Sequence, residues 1–82
     1  MIAHWEILQH LHEGRTRIVA TGSDPLAPDI SPEAFVRDLV LRWAGDTPDV
    51  PTPQFKDSHW EWYDTRSGVD YPLVIMVQFI DG

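Results

Sequence analysis

Four residues near the amino terminus are the first that could do chemistry. His4, Glu6, His10 and His12 all fall on even positions, so on an extended strand they project from one face. Imidazole nitrogens with a carboxylate form a donor set suited to zinc, nickel or copper. Spacing weighs against it, because same-side neighbours on a strand lie about 7 Å apart. His10 and His12 could share an ion, whereas His4 would need help from another strand. The expectation is solvated or hydrogen-bonded histidines and no cofactor, with His10, His12, His4 and Glu6 as the weak candidates for a metal site.

Asp57, Ser58 and His59 are the residue types of a hydrolase triad. Sequence neighbours point apart, however, and a triad needs a supported nucleophile and an oxyanion hole. Neither a G-x-S-x-G elbow, a dinucleotide or phosphate loop, nor an H-E-x-x-H helix occurs in the sequence. The chain is expected not to be an enzyme, and no catalytic residue is assigned.

Trp60, Glu61, Trp62 and Tyr63 make the densest aromatic run. On a strand the two tryptophans share one side and Tyr63 takes the other. Such rings either complete a small core or anchor a partner, since Trp and Tyr are favoured at interfaces. The candidate partner-binding set is Trp60, Trp62, Tyr63 and Trp43, with Glu61 and Asp64 as the accompanying carboxylates.

Charge narrows the partner. The net charge is −7, with Lys56 the single lysine beside five arginines, so direct binding to nucleic acid through phosphate neutralisation is not expected. Glu6 and Glu13 balance Arg15 and Arg17, so the acidic excess belongs to residues 24–82. An acidic surface punctuated by aromatics suits either a protein partner or, alternatively, the basic site of a nucleic-acid-binding protein, which the chain would occupy as a mimic or inhibitor. The longest apolar run, Pro72 to Val77, cannot cross a bilayer, and no export signal is read at the amino terminus. A cytoplasmic location and no membrane contact are expected. The absence of cysteine fits a reducing compartment and excludes disulfides. Arg over Lys and the lack of Asn point to a GC-rich bacterial or phage source.

These side chains must be positioned by few elements. At 82 residues one domain with one small core is expected. Ala3 to Leu11 alternates like a strand, Glu13-Gly14 reads as a two-residue turn, and Arg15 to Thr21 as the returning strand. That register sets Gln9 opposite Ile18 and Ile7 opposite Ala20, gathering Trp5, Ile7, Leu11, Ile18 and Ala20 on one face. Residues 22–30 read as a loop. Ser31-Pro32-Glu33 is a helix start, and the helix runs to about Ala44 with Phe35, Val36, Leu39, Val40 and Trp43 as its apolar stripe. Gly45 ends it. Three prolines make 46–53 an extended connector.

His59 to Thr65 and Tyr71 to Ile80 then form a second hairpin around Arg66-Ser67-Gly68. Val74, Ile75, Met76 and Val77 are apolar on both sides, which suits a strand inside the sheet or at an interface. The expected fold is α+β in the order β-β-α-β-β, an antiparallel sheet of about four strands with one helix on one face. The expected function is a non-enzymatic protein-interaction module or small regulatory or accessory protein, homodimeric or bound to a larger partner. The alternatives are the acidic inhibitor and a histidine-based metal-binding domain.

Overall fold

A computed structural model describes residues 1–45 and 49–81. Five strands and one helix follow the order β1 (Ile2–His10), β2 (Thr16–Pro25), α1 (Pro32–Ala44), β3 (Gln54–Lys56), β4 (His59–Tyr63) and β5 (Leu73–Ile80). The strands form one sheet in the order β2-β1-β5-β4-β3, and every pair is antiparallel. The fold is α+β as expected, with one strand more than the sequence suggested. Among the described residues no helix is long and apolar enough to cross a membrane.

β5 lies in the middle because it is apolar on both sides. Directly opposed residues share a face, and Ile7↔Ile75, Trp5↔Val77 and Trp62↔Ile75 assemble one apolar face. Val36, Leu39 and Val40 of α1 close over it, so Ala3, Ile7, Trp62, Ile75 and Val77 are buried with them. The other face carries His4, Glu6 and Leu8 opposite Gln78, Met76 and Val74, and no element of the described chain lies across it. With β1 on one flank and β4 on the other, β5 has no free edge for a second chain.

α1 forms where its signals place it. The Ser31 hydroxyl accepts the Ala34 N–H at 3.1 Å, Pro32 fills the first turn, and Gly45 at φ 87° donates its N–H to Leu41. Glu33–Arg37 and Asp38–Arg42 ion pairs line the wet side. Trp43, expected in the buried stripe, instead stands at its rim and is 38% exposed.

The first hairpin departs from its expected register. Leu11 N–H donates to Arg15 O at 2.7 Å, and His12–Gly14 form a tight turn with Glu13 and Gly14 at φ 65° and 72°. This three-residue turn sets Gln9 opposite Arg17 and Leu8 opposite Ile18; a bulge then restores Ile7↔Ala20, leaving Val19 as the additional residue. Ile18 therefore points to the open face, 61% exposed, and does not join Trp5 and Ile7. β2 also runs on through Gly22, Ser23 and Asp24, which were expected in a loop. Gly22 pairs with Trp5 in the ladder, and the Trp5 ring lies over it where any Cβ would overlap, so the position takes a glycine.

The second hairpin is shorter than expected, with β4 ending at Tyr63 and β5 starting at Leu73. Of the connector 46–53, residues 46–48 lie outside the described residues, and 49–53 form neither helix nor strand before β3 begins at Gln54.

Candidate functional site

The sheet presents a groove on each side. On the helix side, Phe55 of β3 stands opposite Trp60 of β4, the ring centres 5.4 Å apart. Phe79 of β5 continues the row and meets Phe35 of α1 edge-on at 5.9 Å. The first turn of α1 forms the far wall. The result is a groove of about 430 Å³ lined by Ser31, Pro32, Glu33, Phe55, Ser58, Trp60 and Phe79. It is wide open, and Phe55 is 59% exposed.

The indole nitrogens distinguish these rings. Trp5 Nε1–H donates to Asp24 Oδ2 and Trp62 Nε1–H to Pro51 O, each at 2.8 Å. Trp60 has no such acceptor among the described residues. A buried indole usually finds a partner, so Trp60, which lines the groove, differs from Trp5 and Trp62 in this respect.

The open face carries a second groove of about 540 Å³, bordered by His4, Glu6, Thr21, Ser23, His59, Met76 and Gln78, among others. His4 Nδ1 and Ser23 Oγ are 2.6 Å apart, and His59 Nε2 is 2.7 Å from Glu61 Oε1. That histidine contact, reinforced by Lys56 and Tyr63, holds the Glu61 carboxyl below its ordinary range against the opposing effect of burial. Lys56 Nζ lies 3.3 Å from Glu61 Oε2, although that buried oxygen has no well-formed hydrogen bond.

No protein-family model, curated protein or solved structure matches the chain.

The metal candidates do not converge. His4 and Glu6 sit on the open face, His10 ends β1, and His12 belongs to the turn, where its ring meets Tyr71 at 5.1 Å. His4 and His59 flank β5 on opposite sides, roughly 10 Å apart at ordinary strand spacing, too far for two nitrogens to share one ion. Among the described residues no three such side chains form a metal-binding group. The triad types are also separated: Ser58 borders the helix-side groove and His59 the open-face groove.

The partner-binding candidates divide. Trp60 lines the aromatic groove, Tyr63 is 45% exposed on the open face, and Trp43 is exposed on α1 but borders neither groove. Trp62 is 1% exposed and belongs to the core, so it offers a partner no surface. Glu61 and Asp64 have only 11% and 3% of their side chains exposed; both are held by neighbours in the chain and are not outward carboxylates. Sequence reasoning missed Phe55, Phe79 and Pro32. Phe55 lies between Gln54 and Lys56 on a three-residue strand, too short for alternation to mark it.

Proposed function

We propose that this chain is a non-enzymatic protein-interaction module that takes an extended, arginine-bearing segment of another protein in the groove between α1 and β3. The observation that supports this most is Trp60, packed at a tilt against an exposed Phe55 and with no acceptor for its indole N–H among the described residues, while the indoles of Trp5 and Trp62 are committed internally.

A guanidinium is the side chain best suited to the groove, because it stacks flat on aromatic faces and carries charge opposite to the chain's −7. Glu33 on the wall supplies a local carboxylate whose Oε1 is held by Arg37 and whose Oε2 faces no donor among the described residues. β3 is the sheet's outer strand beside the groove, so an extended segment could add to its edge while delivering a side chain to the rings.

The test is an NMR titration with three short extended peptides alike in apolar content and rich in Arg, Gln or Glu. The Arg peptide is expected to move the Trp60 indole and Phe55 amide signals, less strongly as salt rises. Equal shifts with the Glu peptide, or shifts confined to Trp43 or Tyr63, would overturn the proposal. The nucleic-acid-mimic alternative has less support, since Glu61 and Asp64 are held inside the fold.

A further inference from the structure

β2 is the other outer strand of the sheet, with β1 on one side and no strand of the described residues on the other. We propose that two copies of the chain pair antiparallel through β2 about a two-fold axis at Thr21, joining their sheets into one.

The pairing with β1 fixes the faces. Arg17, Ala20, Gly22 and Asp24 lie opposite Gln9, Ile7, Trp5 and Ala3 on the helix side, while Thr16, Ile18, Thr21, Ser23 and Pro25 belong to the open face. With Val19 bulged in both copies, Thr21 meets Thr21, Ala20 meets Gly22, Ile18 meets Ser23, and Arg17 meets Asp24. Each pair joins residues of the same face, as an antiparallel ladder requires. Without the bulge, Arg17 and Asp24 would have opposite parity and could not meet.

Arg17 and Asp24 are the only charged residues of β2, and this register brings each against the other copy's opposite charge at both ends. A register moved by two residues either way leaves Arg17 opposite Gly22 or Leu26. Both side chains are already steadied: Arg17 Nε donates to Gln9 Oε1 at 3.0 Å, and Asp24 Oδ2 accepts from Trp5. The guanidinium Nη atoms and Asp24 Oδ1 have no partner among the described residues, so they remain available for the second copy. Exposed Ile18 and Val19 lie along the same edge, an arrangement that recruits strands unless blocked. This association is independent of the aromatic groove, which lies at the opposite edge of the sheet.

The chain contains no cysteine, so Thr21→Cys introduces a single thiol on the axis. Opposed Cα atoms in an antiparallel pair are about 4.5–5.5 Å apart, within disulfide reach. Under mild oxidation Thr21→Cys is expected to form covalent dimer about tenfold or more faster than Tyr63→Cys, which is exposed away from this edge. Light scattering across a concentration series is expected to show a dimer that Arg17→Asp weakens about tenfold or more and that Arg17→Asp with Asp24→Arg restores. Equal cross-linking of the two cysteine variants, or a monomeric mass at every concentration, would overturn the proposal.

Discussion

Arg66 reaches back two residues to grip Asp64 with two parallel bonds, Nε to Oδ1 at 2.8 Å and Nη2 to Oδ2 at 2.7 Å. The Arg66 backbone N–H adds a third to Oδ1 at 3.2 Å, and Nη1 donates to Ala44 O at 3.3 Å. One side chain thus fastens the exit of β4 to the last carbonyl of α1, that of Ala44. Bidentate geometry makes this contact stronger than an ordinary surface pair.

Arg66→Met should therefore destabilise more than loss of either helix-surface pair. It leaves the Asp64 carboxylate, 3% exposed, without its counter-charge. A fall of several degrees in melting temperature is expected, against little change for Arg42→Met, whose partner Asp38 is well exposed. Thermal unfolding followed by circular dichroism checks the order.

Stability should decline in acid through the same carboxylates. Arg66 holds Asp64, and His59 first among its neighbours holds Glu61, below the ordinary carboxylate range. In the unfolded chain both take up protons at ordinary values, so the unfolded state binds more protons there. Their contribution is complete above that range and is lost as pH falls through it towards the folded values. Urea titrations at falling pH should show this acid limb, and Asp64→Asn with Glu61→Gln should flatten it while lowering stability at neutral pH. An unchanged slope would mean that other carboxylates dominate.

The helix was legible because its start and stop are local: Ser31, Pro32 and Gly45 act within one turn of themselves. The inner position of β5 was legible because a strand apolar on both sides fits best between neighbours. The bulge at Val19 was not, since it arises from how a three-residue turn must rejoin the Ile7↔Ala20 register further along. Glu61 and Asp64 were expected beside a partner although candidates for internal pairing stood two residues away: His59 shares a side of β4 with Glu61, and Arg66 folds back on Asp64 just past the end of that strand. The aromatic groove depends on β3, which is brought beside β4 by tertiary pairing and carries too few residues to announce itself.

Gly22→Ala should disrupt the first hairpin. The added Cβ overlaps the Trp5 ring, and Trp5 is also fixed by its bond to Asp24, so the ring cannot simply swing aside. A cost of about 1–3 kcal/mol is expected, as for other overpacking substitutions. The Trp5 indole proton should lose its hydrogen-bonded shift at the same time. A neutral effect on both would mean that the ring has another place to go.

Trp62 and Trp60, on the same side of one strand, should respond in opposite ways. Trp62 is 1% exposed among Ile7, Ile75 and the helix residues, so Trp62→Ala should cost about 3–5 kcal/mol. Trp62→Phe should retain part of that, losing mainly the bond to Pro51 O. Trp60 lies at the groove with Phe55 above it, and its removal leaves no enclosed cavity because the site opens to solvent. Trp60→Ala should therefore destabilise distinctly less than Trp62→Ala in denaturant titrations, while abolishing the response to the Arg-rich peptide. If Trp60→Ala proved as costly as Trp62→Ala, the ring would be core rather than contact surface, and the groove would lose its anchor.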